Sequence, residues 1–248
     1  IGLKAITGNQ YRWMGMGYVK LYKVPAEAIT IDEGVTYTPA NVAGTVTLTR
    51  ALSTEKWNSF VVPFQISNAE LKTAFGIGVQ VAEYTEEAVG ENSTISFIPM
   101  ETPAIAANKP VLLKPSTVTN NNTYVFENRD ISTSEAEVEG TNFDFVGTYA
   151  ATSTIAAGDY FIGTSKTDGK SKLFQSTGTT TIKGTRAYLK AKSANARITN
   201  FIFDEDATVI SGVKMAGDSG KIYNLNGQEV KSTRKGIFIQ DGKKIVVK

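Results

Sequence analysis

Neither cysteine nor histidine occurs among the 248 residues, and these two absences remove more chemistry than any motif in the chain proposes. Without cysteine there is no disulfide framework, thiolate nucleophile, iron-sulfur cluster or thiolate zinc site. Without histidine, a Ser-His-Asp triad or a histidine-ligated metal centre cannot be assembled from this chain. Carboxylate-pair glycosidase chemistry, lysine or tyrosine chemistry and oxygen-ligated calcium sites need neither residue and stay open. Long apolar runs are also missing. With 41% apolar and 20% charged residues, no stretch approaches the roughly eighteen residues of a membrane span. The chain starts at Ile1 with neither an initiator methionine nor a signal-like apolar segment, so a processed or truncated piece is expected. No cofactor is expected.

Charge of one sign is scarce overall but segregated along the chain. Lys and Arg against Asp and Glu give +2 for residues 1–69, -8 for 70–150, +3 for 151–220 and +5 for 221–248. A nucleic-acid binder carries a stronger basic excess interleaved with exposed aromatics. Solvated faces of differing sign are the simpler reading, and no nucleic-acid partner is expected.

What is present centres on residues 56–64, Lys-Trp-Asn-Ser-Phe-Val-Val-Pro-Phe. Trp57, Phe60, Val61, Val62 and Phe64 are core material, and truncating a buried aromatic costs on the order of 3 to 5 kcal/mol. A short helix is predicted directly after it. Ser67 and Glu70 have capping-box spacing, Leu71, Ala74 and Phe75 share one face, and Gly76 is placed to stop the helix.

Elsewhere the pattern is that of strands. Ile29, Ile31, Val35 and Tyr37 alternate before Pro39, and Val46 to Thr49 resumes with a β-branched period of two. Further strands are predicted at Val79 to Tyr84, Ile95 to Met100, Val111 to Lys114, Tyr124 to Glu127, Phe143 to Tyr149, Tyr160 to Thr164, Lys172 to Gln175, Ala187 to Ala191 and Ile198 to Phe203. Asn120-Asn121-Asn122 reads as a polar turn. Short strands separated by Gly, Asn and Pro turns indicate an all-β sandwich or barrel. Near the C-terminus, Asn226-Gly227 and Asp241-Gly242 are hairpin signals between short apolar runs, which predicts a small β-meander. Its seven Lys and Arg against two acids would blunt exposed edges.

One local pattern recurs at Ile105, Ile155 and Ile182: an aliphatic anchor, a polar turn, then a strand. The Ile pins the loop, and Asn, Gly or Thr tolerates the turn. The unequal spacings of 50 and 27 residues argue for reuse of one local solution, not a solenoid. Asp204-Glu205-Asp206 lacks the glycine turn and spaced ligands of an EF-type loop and reads as a solvated linker, so no metal is assigned. Glu86, Glu87, Glu135, Glu137 and Glu139 read as exposed strand or loop faces, and no carboxylate pair can be matched from sequence alone.

Residues 1–25 read as strand, turn and strand. Trp13, followed by Gly17-Tyr18-Val19-Lys20-Leu21-Tyr22, resembles the closing strands of galactose-binding-like jelly rolls; a pair of edge strands completing the main fold is the alternative. The tail from Ile222 through Val230, Lys235 to Ile239 and Asp241 to Lys248 resembles the C-terminal sorting domain of secreted Bacteroidetes surface proteins, over about 28 residues and with fewer strands upstream. Trp57-Asn58 to Pro63-Phe64, the helix ending at Phe75-Gly76, Lys109 to Leu112 and Thr185 to Leu189 resemble an uncharacterised module of such proteins over roughly residues 28–206. These resemblances imply a secreted or cell-surface β-rich protein in an adhesion-like or glycan-handling setting. They imply no catalytic residue.

The expectation is therefore a β-sandwich of residues 26–206 with one short helix, and a C-terminal β-meander of residues 207–248. Residues 1–25 are expected to close an upstream jelly roll, with edge strands of the main fold as the alternative. The functional expectation is a non-enzymatic structural or adhesive protein, extracellular or on the outer cell surface, with surface proteins or glycans as partners. A carbohydrate-binding module is the alternative, with Tyr11, Trp13 and Tyr18 as the sugar-stacking platform. A two-carboxylate glycoside hydrolase is a third reading.

Overall fold

The computed structural model describes residues 27–165, 167, 169 and 171–203, together with the backbone of three short strands in the tail. Tyr11, Trp13, Tyr18, the acidic run at 204–206 and both Gly-containing tail turns lie outside the described residues. In chain order the elements are β1 (Glu27–Asp32), β2 (Ala43–Thr49), β3 (Asn58–Phe60), α1 (Asn68–Phe75), β4 (Gln80–Val89), β5 (Asn92–Pro99), β6 (Val111–Lys114) and β7 (Thr123–Asp130). They continue with β8 (Glu137–Val138), β9 (Phe143–Thr148), β10 (Ser153–Thr154), β11 (Tyr160–Thr164), β12 (Ser171–Gln175), β13 (Thr181–Ile182), β14 (Arg186–Ala191) and β15 (Arg197–Phe203). The tail strands are β16 (Ile222–Tyr223), β17 (Gly236–Gln240) and β18 (Lys243–Val247), paired antiparallel in that order as the expected meander.

The fold is an all-β sandwich built of three layers. A three-stranded sheet, β1-β2-β7, lies on one side of a five-stranded sheet, β15-β5-β4-β6-β3, and a second five-stranded sheet, β12-β11-β14-β9-β8, lies on the other. The middle sheet is therefore buried on both faces where it is covered. Successive residues of a strand point to opposite faces, so Val111 and Leu113 enter the first core while Leu112 enters the second. Val81 and Ala82 divide in the same way.

The first core is a ring cluster. Phe75 of α1 lies 4.8 Å from Tyr124 and 5.9 Å from Phe60, and Phe64 lies 5.2 Å from Phe126 (centroid distances). In the second, Tyr84, Phe97 and Phe145 form a triangle with sides of 5.2 to 5.9 Å. Such aromatic pairs contribute about 0.5 to 1.5 kcal/mol each beyond the area they bury.

The segment read as the organiser sits between the two cores. Trp57 belongs to the second, whereas Phe60, Val62 and Phe64 belong to the first. Its backbone then binds four separate segments in turn: Val61 N–H to Thr185 O, Val62 O from Asn108 N–H, Pro63 O from Ser132 N–H, and Ile66 with Ile105 in both directions. The helix forms as expected. Glu70 Oε2 accepts from the Ser67 N–H at 2.9 Å and from its hydroxyl at 2.7 Å, Leu71 and Phe75 are buried, and Gly76 ends the helix at φ +90°.

The recurring turn has a common geometry. Asn108, Gly158 and Thr185 each stand three residues after the anchor Ile, each has left-handed φ (57°, 96° and 59°), and each donates its N–H to a neighbouring segment. Ile105 and Ile155 are buried anchors, but Ile182 is only half-buried, because β13 pairs with β10 in a two-stranded ribbon.

Candidate functional site

Two carboxylates that looked exposed in the sequence, or were passed over, turn out to be held by the fold. Glu33 follows β1 and is buried. Its Oε2 accepts from Arg50 Nη1 at 2.9 Å and from Arg186 Nη2 at 2.7 Å, with Lys183 Nζ 3.7 Å from Oε1. Burial first, then the charge of Arg186, pulls the Arg50 pKa down to about 9, and Glu33 opposes both. Glu86, on β4, fills a concave loop: it accepts from the N–H groups of Thr141 (2.6 Å) and Asn142 (3.1 Å) and from the Ser93 hydroxyl. These groups are occupied by one another and hold layers and loops together.

The outer sheet carries a different arrangement. Its inner face supplies Phe143, Phe145, Ala187 and Leu189 to the second core, with Tyr160, Ile162 and Leu173 packed against it. Alternation therefore turns Phe161, Phe174, Tyr188 and Val146 to the opposite face. The registers align them. Phe174 is opposite Phe161, Tyr160 is opposite Leu189 so that Tyr188 comes next in line beside Phe161, Tyr188 is opposite Val146, and Val146 is opposite Glu137. A single transverse row, Phe174-Phe161-Tyr188-Val146-Glu137, crosses all five strands.

Within this row Phe161 and Phe174 are stacked, with centroids 5.7 Å apart and planes at 24°. Both rings lean over Gly163: a Cβ there would meet Phe174 Cδ2 at 3.1 Å and Phe161 Cε2 at 3.3 Å. Glycine thus leaves a low floor that the rings cover. Burial, then the charge of Asp159, raises the Tyr188 pKa, so its phenol stays protonated and able to donate. On either side stand polar residues of the same face: Lys172 opposite Gly163, Arg186 opposite Thr148, and Lys190 opposite Asp144.

Comparison with protein-family models, with curated proteins and with solved structures finds no match. The site therefore rests on its own geometry.

At the acidic end of the row, Glu137 has its pKa raised by desolvation first and then by the hydrogen bond and charge of Glu135. Among the described residues no cluster of acidic side chains suits a metal ion.

The row escapes sequence reading because Tyr160 to Thr164 and Lys172 to Gln175 read only as strands, with neither face assigned to core or solvent. The available signal was that these strands are apolar at both parities, which equips a second face.

Proposed function

We propose that this chain is a non-enzymatic, adhesion-type module of a secreted or cell-surface protein, and that it holds glycans on the outer face of the β12-β11-β14-β9-β8 sheet. The observation that carries this reading is the stacked Phe161-Phe174 pair continued by Tyr188 across the strands. Pyranose rings have apolar faces and hydroxyl rims. A strip of aromatic rings with the Tyr188 hydroxyl and the flanking Lys190 offers both kinds of contact at once. Glu137 and Asp144 on the same face disfavour a phosphate backbone. The lack of histidine and cysteine, and the engagement of Glu33 and Glu86 in internal bonds, support a binding role over a catalytic one. The extracellular setting rests on the resemblance of the tail to sorting domains. The division at residues 25/26 and 206/207 belongs to the same reading.

The test is a glycan-array screen of the full chain, repeated with Phe174→Ala, Tyr188→Ala and Trp13→Ala, each checked for an unchanged unfolding midpoint. Saturable binding that falls at least about tenfold with Phe174→Ala or Tyr188→Ala is expected, since such stacks carry on the order of 1 kcal/mol or more. No binding to any glycan overturns the reading. Binding lost only in Trp13→Ala moves the site to Tyr11, Trp13 and Tyr18.

A further inference from the structure

A second surface, remote in character from the aromatic row, lies along β7. Among the described residues this strand pairs with β2 on one side only, so its other edge is the free edge of the three-stranded sheet. Between that edge and α1 runs a groove of about 530 Å³, walled by Glu70, Thr73 and Ala74 of the helix and by Thr123, Val125 and Glu127 of the strand. A second recess of about 360 Å³ continues it past Asn128 and Asp130.

The backbone groups on this edge are partly capped by the protein's own side chains. Thr123 N–H donates to Asn121 Oδ1 at 3.2 Å, and Thr123 O accepts from the Thr119 hydroxyl at 3.0 Å. Glu127 O accepts from Arg129 Nε at 2.7 Å. In an antiparallel pair the residues whose backbone groups face outward alternate with those that face the partner. Thr123 faces outward, so Val125 does too, and between the two capped positions its N–H and C=O form an open pair among the described residues. Val125 is also 60% exposed, a large apolar residue in the middle of an edge.

Charge selects among strands that could pair there. Arg129 is already committed, with Nη2 2.6 Å from Glu70 Oε1 and Nη1 donating to Gln65 O at 2.9 Å. Glu127 and Asp130 then leave the lining acidic.

We propose that this slot accepts an extended, lysine- or arginine-bearing polypeptide strand, which adds to β7 through the backbone of Val125 with its cationic side chains against Glu127 and Asp130. Strand addition of this type draws affinity from main-chain hydrogen bonds and specificity from alternate side chains. It is independent of the glycan reading.

The probe is a labelled, end-blocked peptide of about eight residues alternating lysine and valine, roughly one strand long, titrated against the full chain by fluorescence anisotropy. Its counterpart alternates glutamate and valine. The lysine peptide is expected to bind saturably and at least about tenfold more tightly than the glutamate peptide. Val125→Pro removes the outward N–H without touching the β2 ladder, a position where edge strands tolerate proline, and is expected to weaken binding at least about tenfold. Glu127→Lys is expected to do the same and guards against a proline variant that fails to fold. Tyr188→Ala leaves peptide binding unchanged, which separates this surface from the glycan face. Equal binding of the two peptides, or full binding by a folded Val125→Pro protein, overturns the proposal. So does self-association of the free chain that Val125→Pro abolishes, because the occupant is then a second copy.

Discussion

Arg50 has no exposed surface, and its guanidinium lies 2.9 Å from the carboxylate of Glu33, a residue on a different strand connection. The same carboxylate takes Arg186 from β14, and Glu33 O accepts the Gly184 N–H at 2.9 Å. One acid thus ties the three-stranded sheet to the outer five-stranded sheet, and its removal strands a buried cation. Breaking a buried pair from one side typically costs about 3 to 5 kcal/mol. Glu33→Gln is expected to destabilise the protein by about 3 kcal/mol in chemical denaturation, whereas Lys183→Ala, on the exposed member of the cluster, changes it by less than about 1 kcal/mol.

Two of the four non-glycine left-handed positions among the described residues, Asn108 and Thr185 of the recurring turn, should respond in opposite ways. Asn108 donates to Ser132 O and Ser134 Oγ and accepts from the Tyr149 hydroxyl at 2.6 Å. Asn108→Ala loses all three bonds and is expected to cost about 2 to 3 kcal/mol. Thr185 is β-branched, and its buried hydroxyl finds no partner among the described residues. Thr185→Gly removes strain of about 1 to 2 kcal/mol at the expense of chain entropy. Its denaturation midpoint is expected to be unchanged or raised.

The helix cap carries a pH signature. Desolvation alone would raise the Glu70 pKa, but hydrogen bonds from Ser67 and the pairing with Arg129 outweigh it and hold the carboxyl below its ordinary value of 4.5. A folded-state pKa below the unfolded one stabilises above the unfolded pKa, and that contribution is lost as pH falls through the folded value. Stability measured from pH 6 downward should therefore drop below about pH 4.5, and Glu70→Gln should flatten that part of the curve. At neutral pH the substitution is expected to cost about 1 kcal/mol.

Gly163 provides a separate handle on the aromatic row. Gly163→Leu places a side chain where Phe161 and Phe174 now lean, so the rings must lift. Overpacking at this outer face is expected to cost about 1 kcal/mol while abolishing the upfield ring-current shifts of the stacked pair in NMR. A folded variant with those shifts intact would refute the arrangement.

Much of the architecture was legible from local pattern. β6 and β11 fall on the predicted residues, and the helix lies between its predicted cap and its glycine stop, because each is bounded by chemistry that acts within a few residues. Three two-residue strands, β8, β10 and β13, were missed, since pairs that short leave no periodicity to read. Strand direction was also out of reach: β1 runs parallel to β2, and β15 parallel to β5, choices made by packing and not by the strands' own residues. Alternation shows that Phe161 and Ile162 face opposite ways but not which side meets a core. The aromatic row therefore emerges only when the register of five strands is known. Glu86 looked like a surface acid for the same reason, because its amide donors come from a loop some 55 residues later.

The middle sheet has a consequence for how the chain must be made. Asn92 at the start of β5 pairs with Arg197 at the start of β15, and Val61 waits for Thr185. Contacts of such long sequence separation are slow to close. On a ribosome, which emits residues in order, β5 is a bare edge until residue 203 has emerged. Chains truncated near residue 190 would keep that edge open, and their expected fate is aggregation, not a smaller folded domain.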